Sequence, residues 1–169
     1  RDLHTQADAM LAARLLRPGR FELLDVEPPA PGPGEVLLRV RGCGVCGSNL
    51  GPWAGVPGLT YPLEPGAPGH EMYGVVEAAG PGATHLAPGT PVTALGFRSF
   101  AEYDVAAASD VVPLPPALAD RPVLGEPMAC AVNVARRAGI EPGDVVVLIG
   151  VGFLGALLLP LARRAGAAR

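Results

Sequence analysis

Arg20-Phe-Glu-Leu-Leu-Asp-Val-Glu-Pro-Pro-Ala-Pro-Gly-Pro-Gly-Glu-Val-Leu-Leu-Arg-Val40 is the stretch from which the fold is read. Two short apolar runs, Arg20–Val26 and Glu35–Val40, flank a turn from Pro28 to Gly34. Proline there removes ladder donors and glycine permits a sharp reversal, so the runs read as strands and the middle as their connection. The pattern recurs in Tyr73–Ala79, Pro91–Leu95 and Phe100–Val105, divided by Gly-Pro-Gly, Pro-Gly and similar breakers. Short strands at this spacing, from Ala12 to about Val112, predict a barrel or sandwich.

Working outward, residues 1–9 read as an appendage. Met10 begins a segment like a natural start, and an opening at Arg1 is compatible with processing, a cloning extension or a fragment. Toward the other end the pattern changes after about Pro116. Met128–Arg137 shows helical spacing, with Pro127 suited to the first helical position and Gly139 to the residue just past the end. Pro142-Gly143-Asp144 makes a turn into Val145–Ile149, a continuous apolar run suited to a buried parallel strand. Gly150-Val151-Gly152-Phe153-Leu154-Gly155 and a helix to about Arg164 complete the series. Pro160 inside that helix removes a backbone bond at a cost of about 3 kcal/mol, so a kink or early end is expected there.

Composition narrows the class. The 23 glycines and 20 prolines are interleaved with Val, Leu and Ile, which fits a loop-rich β fold and not disorder. A net charge of −3, without a basic run, points away from nucleic acid. All basic residues are Arg, which reads as genome composition and not as chemistry. Three cysteines, Cys43, Cys46 and Cys130, are an odd set unlike a secreted disulfide framework. With no secretory signal pattern at the N-terminus, a reducing cytoplasm is the expected compartment. Val145–Ala162 carries no charge and is long enough to span a bilayer. Gly150, Gly152, Gly155 and Pro160 punctuate it, so a strand, a turn and a helix are expected there instead, with no membrane partner.

Two groups of residues carry chemistry. Gly150, Gly152 and Gly155 form G-x-G-x-x-G between an expected strand and an expected helix. The first glycine permits the turn, the second admits a pyrophosphate, and the third lets helix and strand pack closely; Phe153 and Leu154 contribute amides at the helix start. The plain alternative is a glycine-rich packing turn. The second group is Cys43-Gly-Val-Cys46-Gly-Ser48-Asn49, placed in a loop after the Glu35–Val40 strand, and Gly69-His70-Glu71, placed in a loop before the Tyr73–Ala79 strand. A catalytic zinc needs a few N, S or O ligands and one open position, which Cys46, His70 and a carboxylate would supply. Taken singly, C-x-x-C also fits a structural zinc knuckle or a redox pair, and a lone His fits core or surface. His4 and His85 have no motif around them and read as surface residues.

Together these motifs resemble the zinc-dependent medium-chain dehydrogenases, the family of alcohol, sorbitol and threonine dehydrogenases. Pro33-Gly34-Glu35-Val36 through Val40, Gly42 to Ser48, Gly69-His70-Glu71, Phe100-Ala101-Glu102-Tyr103, Glu126-Pro127, Pro142-Gly143-Asp144 and the glycine fingerprint follow in the family's order. The resemblance implies a mainly β chain: a GroES-like β-barrel catalytic domain over residues 12–124 after an extension at 1–11, then the first part of an α/β Rossmann domain over 125–169. It implies one catalytic zinc held by Cys46, His70, Glu71 and Glu126, with no structural zinc, since the four-cysteine lobe of some members is absent. Glu71 would be an exchangeable ligand, and Glu126 would bind directly or through water. Ser48 would pass the hydroxyl proton outward. Cys43 is left structural, and Cys130, four residues beyond Glu126, is expected to pack in the interior unless it faces the same cleft.

The implied activity is hydride transfer between an alcohol, polyol or sugar and NAD or NADP, since the residue that tells the two cofactors apart lies beyond Arg169. A homo-oligomer is expected for the full-length protein. Three departures stand out: Asn49 occupies a position usually held by Asp, which is expected to weaken metal binding; Gly51 replaces a relay His; and Trp53 lies where it would line a substrate pocket or sit half-buried in the barrel. The chain is expected to be a fragment, with Val145–Leu161 leaving apolar surface bare, solubility poor and hydride transfer weak or absent. Three rival readings are a zinc-free quinone or enoyl reductase of the same superfamily, a non-catalytic GroES-like interaction domain, and a C-x-x-C redox or zinc-binding module.

Overall fold

The structure, a computed structural model, describes residues 9–169. Residues 1–8 of the N-terminal appendage, His4 among them, lie outside the described residues, whereas Met10 and Leu11, expected in the extension over 1–11, open the first strand. The chain divides into two compact units, one ending at Gly125 and the other running from Glu126 to Arg169.

The first unit is built of antiparallel strands. β1 (Met10–Arg17) and β2 (Arg20–Val26) form a hairpin. The remaining strands are β3 (Glu35–Gly44), β4 (Glu71–Ala79), β5 (Pro91–Leu95), β6 (Tyr103–Ala107) and β7 (Val111–Pro113), in the sheet order β6-β3-β4-β5-β7. Backbone bonds from Ala13 N to the Phe100 carbonyl (2.8 Å) and from Glu102 N to the Leu11 carbonyl (3.0 Å) tie the hairpin to the segment before β6. Alternation puts Val36 and Leu38 of β3 fully inside with Met72 and Val76 of β4, Val92 of β5 and Ala106 of β6, while Leu86 closes the core from a loop.

The predicted strands are present with shifted ends. β3 continues past Val40 through Cys43 and Gly44, so Cys43 lies in a strand and not in the expected loop. Its register slips between Val40 and Gly42, a bulge that re-aims the residues leading to Cys46. Glu71 likewise belongs to β4 as its first residue. The strand expected at Phe100–Val105 runs instead from Tyr103 to Ala107, and the segment before it touches β1 through one bridge, Ala12 to Ala101.

The second unit holds α2 (Gly125–Ala138, which begins one residue before the division) and α3 (Phe153–Ala165); α1 is the short helix Leu50–Ala54 of the first unit. α2 starts two residues before Pro127, so that proline is not its first residue, and Gly139 ends it with φ +61° as expected. α3 runs through Pro160 to Ala165 instead of ending there. Residues 145–149 are not a strand, contrary to expectation. A parallel strand needs a partner along its length, and the described residues supply one only at its start: Ala168 N donates to the Asp144 carbonyl and Val146 N to the Arg169 carbonyl, each at 2.8 Å. Beyond that, Val147 and Ile149 are 80% and 94% exposed. Among the described residues no helix is long and apolar enough to cross a membrane.

Candidate metal centre

The site is assembled where β3 leaves the sheet and β4 enters it. Cys46 precedes a single 3₁₀ turn, Gly47–Asn49, that leads into α1. Asn49, only 8% exposed, turns its side chain back so that Oδ1 accepts from Cys46 N at 2.8 Å. The same amide donates through Nδ2 to the Pro68 carbonyl at 2.9 Å.

His70 comes from the other loop. Its Nδ1 lies 2.9 Å from the Pro68 carbonyl, and since a carbonyl only accepts, Nδ1 carries the hydrogen. Nε2 is left with its lone pair, 3.4 Å from Ser48 Oγ. Two further backbone bonds hold this loop: Gly96 N to the His70 carbonyl (3.3 Å) and Ser99 N to the Gly69 carbonyl (3.0 Å). Glu71 is 7% exposed and pairs across the sheet with Gly44.

These elements bring one ligand atom each from Cys46, His70 and Glu71 within 4.8 Å of one another. A thiolate, an imidazole nitrogen and a carboxylate oxygen are the donor types zinc accepts, and three protein ligands leave a position for substrate or water. The residues present therefore fit the metal.

Cys43 is a different kind of thiol. It points to the Gly44 carbonyl at 3.4 Å, and burial, helped by the nearby Glu71 charge, pushes its pKa from 9.0 up to about 11. Glu126 stands in the first turn of α2, where its Oε1 accepts from Cys130 Sγ at 3.2 Å. Cys130 is exposed there, a correction to its expected interior packing, because the helix turns this position to solvent. His85 is exposed as expected. Trp53 is 43% exposed and stacks on Phe21, with centroids 5.7 Å apart. Both rings line a pocket of about 440 Å³ with Phe100, Leu50 and Val45.

In the glycine fingerprint, Gly150 takes φ +88°, which favours glycine. Gly152 precedes α3, whose first residues Phe153 and Leu154 are exposed. Gly155 is buried, and a Cβ there would collide with the Gly150 carbonyl, so helix and turn pack as the third glycine requires.

Asp104 supports the site without belonging to any motif in the sequence. It is 1% exposed in β6 and accepts from Phe97 N, Arg98 N, Ser99 Oγ and Val105 N, fixing the loop whose Gly96 and Ser99 amides support His70 and Gly69. A lone acid at an inward-facing position of a strand was the available signal.

Residues 32–116 match the family described as "Alcohol dehydrogenase GroES-like domain". An alcohol dehydrogenase of Geobacillus stearothermophilus is 32% identical over 86% of this chain and 52% of its own length. A sorbitol dehydrogenase of Ovis aries is 28% identical over 90% of this chain and 51% of its own. Among solved structures, a zinc-binding dehydrogenase from Sinorhizobium meliloti bound to NADP superposes with a TM-score of 0.80 at 30% identity, covering 95% of this chain and 54% of that one. The chain thus spans about half the length of the relatives it matches.

Proposed function

This chain belongs to the zinc-dependent medium-chain dehydrogenase family, and from that membership we propose that it is the metal-binding part of an oxidoreductase moving hydride between an alcohol or polyol and NAD(P). The observation that carries the reading is the convergence of Cys46, His70 and Glu71 within 4.8 Å. A zinc-free reductase or a purely structural GroES-like domain has no use for that donor set.

Cys46, His70 and Glu71 would hold the metal. A bound zinc supplies Lewis acidity, which polarises an alcohol oxygen and lowers the pKa of its hydroxyl. The protein's share is orientation and proton handling. The Pro68 carbonyl holds the His70 ring by Nδ1, which would leave Nε2 as the ligating atom, and Ser48 Oγ, 3.4 Å from Nε2, would take the substrate's hydroxyl proton as it passes its own outward. Gly150, Gly152, Phe153, Leu154 and Gly155 begin a Rossmann unit whose amides receive the dinucleotide phosphates. Domain limits of 12–124 and 125–169 accompany this assignment.

Similarity to alcohol and sorbitol dehydrogenases supports a small alcohol or polyol as the substrate. Metal analysis tests the core of the proposal. The wild type and Cys43→Ser should retain about one zinc per chain, whereas Cys46→Ser and His70→Ala should lose it. Zinc loss on Cys43→Ser with retention on Cys46→Ser would sink the assignment in favour of a different thiol site.

A further inference from the structure

We propose that the pocket between the β1–β2 hairpin and α1 is a ligand site separate from the metal centre, built for an uncharged aromatic molecule of one or two rings. It does not rest on the metal assignment above.

The walls come from three segments: Phe21 from β2, Val45 with Leu50 and Trp53 around the turn into α1, and Phe100 from the segment ahead of β6. Backbone bonds fix these segments. Gly19 N donates to the Trp53 carbonyl at 2.8 Å, Ala13 N to the Phe100 carbonyl at 2.8 Å, and Phe100 N to the Gly66 carbonyl at 3.0 Å. The walls therefore cannot slide together, and about 440 Å³ of apolar concavity stays open. That size falls within the range of small-molecule pockets, roughly 300–1,000 Å³. Trp53, Leu50 and Val45 are 43%, 63% and 77% exposed, so an occupant would take apolar surface out of water.

The lining selects the occupant. Phe21 and Trp53 lie nearly parallel, 15° apart, while Phe100 stands at 80° to Phe21. An entering ring finds both a face to stack on and an edge to meet, the two favoured aromatic geometries. Among the described residues no charged side chain lines the pocket. Its one polar side chain, Asn49, already has its amide bound to Cys46 N and the Pro68 carbonyl. An ion would enter without a counter-charge or a free hydrogen-bonding partner, at a cost in lost hydration. Past Phe100 the neighbouring hollow carries Arg41, Ser99 and Glu102, so a polar rim bounds the site. Seven lining residues suit a small molecule, whereas a protein partner takes roughly 20–30 a side.

Trp53 is the chain's single tryptophan, so its emission reports this pocket alone. Nitrobenzene, an uncharged ring that quenches tryptophan on contact, is titrated into the whole 169-residue chain without metal. Quenching should saturate and leave the lifetime of the remaining emission unchanged, and amide NMR shifts should gather at Ala13, Val45, Asn49, Leu50 and Phe100. 4-Nitrobenzoate and trimethylanilinium should bind at least about tenfold more weakly. Leu50→Asp puts a carboxylate into the wall at an exposed position and should weaken nitrobenzene about tenfold or more. Val112→Asp, exposed on β7, should match the wild type. Quenching that never saturates while the lifetime falls is collision alone and overturns the proposal. So does equal binding of the charged rings, or of nitrobenzene to Leu50→Asp. Trp53 emission that depends on chain concentration, with no saturable nitrobenzene site, gives the face to a second copy and overturns it as well. If Leu50→Asp does not fold, the wild-type NMR shifts decide, and shifts gathered away from these residues overturn the site.

Discussion

The carboxylate of Glu71 lies against the Cα of Gly44, in the space that a Cβ at position 44 would fill. The two residues are cross-strand partners at the ends of β3 and β4, so the missing side chain on one strand makes room for the candidate ligand on the other. Gly44→Ala should displace Glu71 and lower zinc affinity at least tenfold, a loss of the size seen when a ligand's support is removed. Overpacking should also cost about 1–3 kcal/mol of stability. Shortening the carboxylate in Gly44→Ala/Glu71→Asp should restore part of the stability. Chelator competition and urea unfolding measure the two effects, and unchanged zinc binding in Gly44→Ala would show that Glu71 is not a ligand.

Asp104 acts one step further from the metal. Its carboxylate collects donors from Phe97, Arg98, Ser99 and Val105, and the loop so fixed lends the Gly96 and Ser99 amides to the His70 segment. Removing the acceptor leaves several buried donors unsatisfied, at about 1–3 kcal/mol each before relaxation. Asp104→Ala should therefore lose about 2–4 kcal/mol by urea unfolding, well above the change for Ser99→Ala, which removes one of those bonds. Equal losses in the two variants would mean that the backbone amides find other partners.

The strands and the candidate ligands were legible in the sequence because each had a local signature. Alternation marked Arg20–Val26, and clustered Cys, His and Glu between glycines marked the metal loops. What escaped depended on partners distant in the chain. Cys43 reads as a loop residue until β4 is seen pairing with it, which carries the strand on to Gly44. Val145–Ile149 has the composition of a strand, yet its hydrogen bonds are set by a neighbour and reach only Val146. Asn49 reads as a lost charge by analogy, while its two opposed hydrogen bonds become visible only once Pro68 is placed beside it.

Burial makes Cys43 a poor nucleophile. Burial holds the Cys43 thiol near pKa 11 against an ordinary 9.0, and only the thiolate is nucleophilic. At pH 8 a two-unit rise lowers the thiolate fraction about a hundredfold, so iodoacetamide should alkylate Cys43 about a hundred times more slowly in the folded chain than in the chain unfolded by guanidinium. The sign for stability follows: the unfolded thiol ionises first, so Cys43's contribution is whole below pH 9 and is lost as pH rises toward 11. Mass spectrometry of timed alkylation, site by site, checks the rate. Equal folded and unfolded rates would contradict a desolvated thiol at this position.

Gly152 and Gly155 separate a dinucleotide cradle from a mere packing turn. At Gly155 an added Cβ meets the Gly150 carbonyl, so Gly155→Ala should destabilise residues 126–169 by about 1–3 kcal/mol and speed their proteolysis under either reading. At Gly152 nothing lies within 4 Å of an added Cβ, and φ is −79°, a conformation that alanine adopts readily. Gly152→Ala should therefore fold as the wild type does. If the fingerprint admits a pyrophosphate close to the backbone, the same methyl group blocks it, and affinity for NADH or NADPH should fall about tenfold or more, read by nucleotide fluorescence. Unaltered nucleotide binding in Gly152→Ala would return the motif to its packing role, since the methyl group then stands where no ligand needs to pass.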